Sequence, residues 1–571
     1  MKLIKTATTL LLALILTLGL TSCGSGTGTT EPSAPSTNAP NTPNTPTTNI
    51  PSTSTPLASA PTYPNSDYAI IKSEDMLGHE PNAKYGGHLR FVPLSITNMN
   101  KSLGLPWEHQ IGGAQGLLGV FCETLLVEHY LEEGTEFVGW LAEDWTIDMV
   151  REEVVFKLRE GIKFHDGSDF NAEAVAWNIN MAVEGMFVDL SITGAEVRSE
   201  YEVAVKMNPF SNVIWSTYST RPFGFTSKEN YDNNGRDYAE KNAVGTGPFI
   251  LKEHVPGVGG TFERNDQYWI EGRPYLDSVE LPAIFDVMIQ NASMQVTNAE
   301  AIDILATLSP EQIQEISRYP GMEIFEVCIG PLAMVPTSLN EGSPLANRDV
   351  RQAISHAVDR ELIVEARGFG LFKPEYQFFP DAPGIVGRLP EADYYVDYNP
   401  AKARELIAQA GYPNGFPTTI YGNASGDREI ALAIQEMLKA VGIDVSVEFP
   451  EQGAMTDIRA RGYEGFTYGQ IRAFSNVLRT FNLHMDTAYL QNIYTWRPVE
   501  ILDPIYKSAI SAPYLRAEDA QALNKVIMDN LCVIPIFVSY SANINRDYVR
   551  GTMFNELGMT EWMVSSIWFD R

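Results

Sequence analysis

Between residues 140 and 185 the pattern of apolar and polar positions changes period. Val154, Phe156 and Leu158 alternate with Val155, Lys157 and Arg159, the two-residue repeat of a strand with one buried face. Glu160-Gly161 turns the chain, Ile162 and Phe164 resume the alternation as a predicted second strand, and His165-Asp166-Gly167 is another turn signal. Asn171 then caps a predicted helix whose Ala172, Val175, Ala176, Ile179 and Val183 share one face, with Gly185 as its stop. Ala174 takes the third helical position, where an acid would complete a capping box.

The same two periods recur along the chain. Gly245, Gly247 and Pro248 form a sharp turn into a strand that begins at Phe249. Residues 257–260 predict a hairpin turn with residues 262–265 as the return strand. Asn347 caps a helix carrying Val350, Ala353, Ile354, Ala357 and Val358, and a second helix follows Asp359. Arg348 and Arg351, three residues apart, read as partners of neighbouring acids on a solvated face, with anion binding as the alternative. Asn399-Pro400 opens a helix with Ala403, Leu406, Ile407 and Ala410 inward and Gly411 as its stop. Ile430, Ile434, Met437, Leu438 and Val441 mark another helix, and Ile443, Val445, Val447 and Phe449 a strand after Gly442. Helices that feed strands predict an α/β layer architecture.

A length of 571 residues predicts two or three domains. The excess of 71 acidic over 41 basic residues, −30 in all, excludes nucleic acid and a polybasic membrane patch as partners. Lys2 and Lys5 followed by apolar residues 10–20 read as an export signal, too short to span a bilayer. It ends in Leu20-Thr21-Ser22-Cys23-Gly24, which resembles the lipobox of bacterial lipoproteins and implies lipidation of Cys23. An ordinary cleaved signal with an incidental cysteine is the other reading. From Gly24 to about Asn65 the chain is Thr, Ser, Pro, Asn, Ala and Gly with Glu31 as its single charge, a composition that predicts a disordered tether. A coil of ~40 residues holds its ends roughly 35 Å apart. Cys122, Cys328 and Cys532 read as buried thiols, with one disulfide as the alternative.

Several words of the sequence occur together in one family. FKLREGIKFHDG followed by NAEAV at residues 156–175 resembles the signature of the family 5 extracellular solute-binding proteins, the peptide, nickel and related binding subunits of ABC importers. The same resemblance covers Gly86-Gly87-His88-Leu89-Arg90, Glu123-Thr124-Leu125, Gly245-Thr246-Gly247-Pro248-Phe249, Gln267-Tyr268-Trp269, Asn347-Arg348-Asp349-Val350-Arg351 and Ile534-Pro535, in the family's order. It implies an α/β, two-lobed periplasmic-binding-protein-like fold (type II, cluster C) with an extra domain on one lobe. The implied division is a signal and lipobox at 1–23, a linker at 24–83, lobe I at 84–120, 244–336 and 538–571, the extra domain at 121–243 and lobe II at 337–537. The implied function is capture of a small solute or peptide between the lobes and its delivery to an ABC permease and ATPase, by a monomer that touches the membrane through its lipid alone. A non-transport receptor or envelope chaperone of the same fold is the alternative.

Nothing in the sequence points to catalysis. No G-x-S-x-G or H-E-x-x-H word occurs, and the 8 histidines are scattered, so neither a cofactor nor a metal is expected. His165 reads as a structural turn residue. Peptide-binding members of the family carry an aspartate after the strand that begins at Ile443, where it pairs with the peptide's ammonium group. Here that place reads Phe466-Thr467-Tyr468-Gly469-Gln470-Ile471-Arg472-Ala473-Phe474-Ser475-Asn476, without a carboxylate. Arg472 is therefore expected to meet a carboxylate or phosphate between Tyr468 and Phe474, with Asn476 beside them. A shifted alignment, which leaves the anchor elsewhere, is the other reading. Asn98, in the ligand-facing loop at 93–100, and Trp496, as a stacking surface, complete the candidate ligand residues.

Overall fold

The computed structural model describes residues 78, 80–94, 103–108, 118–131, 134–185, 191–219, 224–337, 342–422, 428–451, 454, 458, 463–485, 498–552 and 563–571. The chain divides into two units, Met1–Ser59 and Ala60–Arg571, and every described residue belongs to the second. Cys23, Asn98 and Trp496 lie outside the described residues.

Two long antiparallel strands, Met322–Thr337 and Ile534–Arg546, form the spine of an eleven-stranded sheet. On one side of them come Ile304–Thr307, His88–Val92, Ser278–Pro282, Gly259–Arg264 and Phe249–Val255; on the other, Gly465–Gln470, Phe416–Tyr421 and Ile443–Glu448. The first group pairs with the spine at residues 542–545 and the second at residues 332–337. Each long strand thus begins in one half of the sheet and ends in the other. Between the halves the spine changes register twice, at Cys328/Gly330 and at Leu332/Ala333. Gly330 sits at φ +124°, and a Cβ there would lie 2.2 Å from the Ile471 carbonyl oxygen, so only glycine fits this crossing.

A separate antiparallel sheet joins Ala142–Asp148, Glu153–Leu158, Glu202–Met207 and Ile192–Ser199. The predicted strand and helix of residues 140–185 are both here. Val154, Phe156 and Leu158 are buried, and the helix Ala172–Glu184 starts where the Ala174 amide donates to Asn171 Oδ1 at 3.0 Å. The strand expected at 162–164 does not form. Residues there make turns and a lone bridge between Lys163 and Asp169, and Ile162 and Phe164 reach the core from those turns. Alternation over two apolar residues is too short a signal to tell a strand from a folded-in turn.

The caps at Asn347, Asp359 and Asn399 open the helices Arg348–Ala357, Arg360–Arg367 and Pro400–Gln409 as expected, each side chain accepting from a first-turn amide. Arg351 is a correction. It is 1% exposed and donates to the carbonyls of Leu345, Ala346, Asn530 and Leu531, so it is buried among carbonyl acceptors and not on a solvated face. Arg348 is exposed, and its Nε donates to the Asp529 carbonyl. Cys122, Cys328 and Cys532 are all thiols, Cys328 half-buried and the other two buried. The body also begins earlier than residue 84: the Glu80 amide donates to the Tyr275 hydroxyl at 2.9 Å, and Arg273 Nη2 donates to the Gly78 carbonyl.

Candidate functional site

The words that identify the fold are held together by one buried carboxylate and one half-buried imidazole. Glu123 is buried and accepts from Trp140 Nε1 at 2.8 Å, Thr246 Oγ1 at 2.9 Å, the Tyr268 hydroxyl at 2.6 Å and Trp269 Nε1 at 3.0 Å. Burial raises its pKa while the four donors pull it back. Each donor comes from a different stretch or neighbouring position of the sequence, so one carboxylate fixes where those stretches meet. His165 does the same for the turn at 165–167: its Nε2 donates to the Gly247 carbonyl at 2.9 Å, and burial lowers its pKa to about 4. Gly245 and Gly247 lie so close to Phe121 that a Cβ on either would come within 2.5 Å of its backbone. These groups are scaffold.

A cleft follows from strand direction. Thr307 pairs with Ala542 and Ile304 with Asn545, so the C-terminal end of Ile304–Thr307 is the end nearer the other half. His88–Val92 and Ser278–Pro282 run parallel to it and end at the same edge. In the second half Gln470 pairs with Leu332 and Gly465 with Thr337, so Gly465–Gln470 also ends towards the crossing. Its parallel neighbours Phe416–Tyr421 and Ile443–Glu448 do likewise. Two sets of parallel strand ends therefore face each other, the position at which α/β sheets bind ligands.

Residues 471–476 lie at that edge. Ile471 and Ala473 donate their amides to Pro331 and Ile329 across the register shift, which ties the segment to the spine. Arg472 lies over the Phe474 ring at 5.2 Å and Arg479 over the same ring at 4.6 Å, so one aromatic carries two guanidinium groups. The Arg472 amide donates to His484 Nε2, and Arg479 Nη1 donates to the Ser216 carbonyl. Asn476 is buried and donates to the Asn212 carbonyl at 3.2 Å. Ser475 donates to Glu128 Oε2 at 2.7 Å, and Ser219 donates to Glu128 Oε1 at 2.8 Å. Next to this group a small cavity of about 10 Å³, room for little more than a water, is lined by Thr135, Phe137, Trp215, Ser475, Asn476, Tyr514 and Leu515. Trp215 and Tyr514 stack across it at 5.2 Å.

Arg472, Phe474 and Asn476 are thus brought together. Tyr468 is not with them: it is 5% exposed and packs in the core with Ile420, Phe466 and Ile534, because its position on Gly465–Gln470 points inward. Glu128 and Arg479 were not legible in the sequence. Arg479 interrupts the otherwise apolar run Val477, Leu478 and Phe481, which is the one signal that marks it. Glu128 carries no local signal, since its serine partners lie 91 and 347 residues away. Among the described residues no group of three His, Cys, Asp or Glu side chains is placed to hold a metal ion. None of the described helices is long and apolar enough to cross a membrane.

Residues 136–487 match the family described as bacterial extracellular solute-binding proteins, family 5 Middle. The oligopeptide-binding protein AppA of Bacillus subtilis is 28% identical over 331 residues, covering 53% of this chain and 59% of AppA. The glutathione-binding protein GsiB of Shigella flexneri is 28% identical over 336 residues, covering 57% of this chain and 63% of GsiB. The matched stretches are less than two thirds of either relative. Among solved structures, the periplasmic binding protein DppA of Helicobacter pylori, in complex with the peptide STSA, superposes with a TM-score of 0.68 at 20% identity, over 86% of this chain and 99% of that one.

Proposed function

This chain belongs to the bacterial extracellular solute-binding proteins of family 5, and we propose that it is the solute-capturing component of an ABC importer. The family binds solutes; it does not transform them. The observation that carries the reading is the facing of two sets of parallel strand ends across a sheet whose halves are joined by two long strands with register shifts at the crossing. Such an arrangement lets two lobes close about the crossing and enclose a ligand. We take 84–120, 244–336 and 538–571 as one lobe, 121–243 as its extra domain and 337–537 as the other lobe. Closure then presents the loaded protein to a permease and its ATPase.

The cargo is a small organic solute of peptide size, a reading supported by the oligopeptide and glutathione named for the relatives. Arg472 and Phe474, with Asn476 beside them and Asn98 and Trp496 as further ligand residues, receive an acidic group and not a free amino terminus. A thermal-shift screen of di- to pentapeptides, free and N-acetylated, tests this. Acetylated peptides are expected to stabilise the protein as well as free ones do, and Arg472→Gln to weaken both by about tenfold or more. Stabilisation that disappears on acetylation contradicts it.

Cys23 is the lipidation site, and the stretch after it tethers the body to the membrane. Metabolic labelling with a fatty acid is expected to mark the wild type and not Cys23→Ser, which is released from membranes. Equal labelling of the two sinks the assignment.

A further inference from the structure

We infer that the cargo is an amphipathic anion, whose acidic group meets guanidinium–aromatic pairs on one edge of the cleft while its apolar part lies on an exposed hydrocarbon edge opposite. This deepens the proposed function and rests on it.

The hydrocarbon edge is made by the residues that follow three adjacent parallel strands. Leu94 follows His88–Val92, Phe285 follows Ser278–Pro282, and Leu308 follows Ile304–Thr307. All three are exposed, and so are Met288, at 81%, and Ile289 in the next helix turn. Single exposed apolar residues are ordinary on a protein surface; five gathered at one sheet edge are not. Strands lie about 4.8 Å apart, so Leu308, Leu94 and Phe285 follow one another along roughly 10 Å of that edge. The helix Val287–Gln295 is firmly started, because Asp286 Oδ1 accepts from the Met288 amide at 2.8 Å and the Ile289 amide at 3.1 Å. The exposure of Met288 and Ile289 is therefore a property of a formed helix. Asp286 also makes this edge a poor place for the cargo's acidic group.

The opposite edge has the complementary chemistry. After Gly465–Gln470 comes Phe474 under Arg472 and Arg479. After Ile443–Glu448, two strands further out, comes Phe449, with the exposed Arg428 at 5.0 Å from its ring centre. Arg428 opens the helix Arg428–Ala440, which leaves the cleft end of Phe416–Tyr421. A guanidinium laid on a ring face keeps its N–H fork in its own plane, the geometry that matches a carboxylate or phosphate, and Arg428 is exposed. The two platforms are separated by two strand spacings, roughly 10 Å. One edge thus offers exposed hydrocarbon, and the other offers cations on aromatic rings.

Calorimetry on the full chain with three probes tests the inference: N-acetyl-Leu-Phe (acidic and apolar), N-acetyl-Gly-Gly (acidic and polar) and Leu-Phe-amide (cationic and apolar). N-acetyl-Leu-Phe is expected to bind at least about tenfold more tightly than either other probe. Met288→Glu, at an exposed position that does not threaten folding, should remove most of that advantage and leave N-acetyl-Gly-Gly little changed. Equal binding of the two acetylated probes, or no effect of Met288→Glu, overturns the hydrocarbon edge while leaving the acid-binding reading intact. Tightest binding of Leu-Phe-amide, or binding of none of the three, overturns both.

Discussion

Glu123 and His165 show how an ionisable side chain can sit in a conspicuous sequence word and serve assembly. Four donors from three parts of the chain converge on Glu123, and the His165 ring reaches across to Gly247. His165 has a consequence for pH. Its folded pKa of about 4 lies below the ordinary 6.5, so the unfolded chain takes up the proton first. The stability that depends on a neutral ring is complete above about pH 6.5 and is lost as pH falls towards 4. Thermal melts over that window should show the wild type losing more stability on acidification than His165→Gln, whose side-chain amide keeps a donor for the Gly247 carbonyl at the Nε2 position. Parallel pH profiles would contradict the assignment. Glu123, with its raised pKa, acts in the opposite direction above pH 4.5, so the comparison between the two proteins carries the test. Arg351 marks the limit of residue-scale reading. Its spacing from Arg348 suggests a solvated helix face, but the carbonyls of Asn530 and Leu531, about 180 residues away, enclose it. The cost of removing a guanidinium from water, seen in a pKa lowered to about 10, is met by four carbonyl acceptors.

At the scale of elements, what was legible was local. The caps at Asn171, Asn347, Asp359 and Asn399 needed only their own first turns, and the helices followed. The glycine-rich turn at 245–247 was legible as a turn, whereas its closeness to Phe121 was not. The crossing between the halves was invisible for the same reason. Gly330 looks like any glycine in a strand, and only the fold brings Ile471 against it. This position joins the hinge to the candidate site, because the amides of Ile471 and Ala473 on either side of Arg472 bond to the spine beside it. Gly330→Ala is expected to lower stability by about 1–3 kcal/mol in denaturant unfolding and to weaken cargo binding as well. Unchanged stability and binding would mean that the crossing tolerates a side chain and is not constrained as described.

The described part of the chain is a sheet divided between two halves, with an added unit, made of a four-stranded sheet and the residues after it, that bonds to the second half. Asn212, Trp215 and Ser216 of that unit bond to residues 476–513, and Glu128 bonds to Ser475. The words of the sequence were enough to identify this architecture, since they encode turns, caps and close packing. The candidate site was less legible because its residues come from distant segments: Arg479 and Glu128 enter from different parts of the chain, and the apolar edge exists only when three strand ends align. Enclosure of one small solute between the two halves can be observed by native mass spectrometry of the chain purified without denaturation, and again after addition of a small-molecule filtrate of cell extract. A single non-covalent adduct of small-molecule mass is expected at one per chain, lost on unfolding and diminished in Arg472→Gln. A bare chain in both samples, or an adduct of equal abundance in Arg472→Gln, would contradict it.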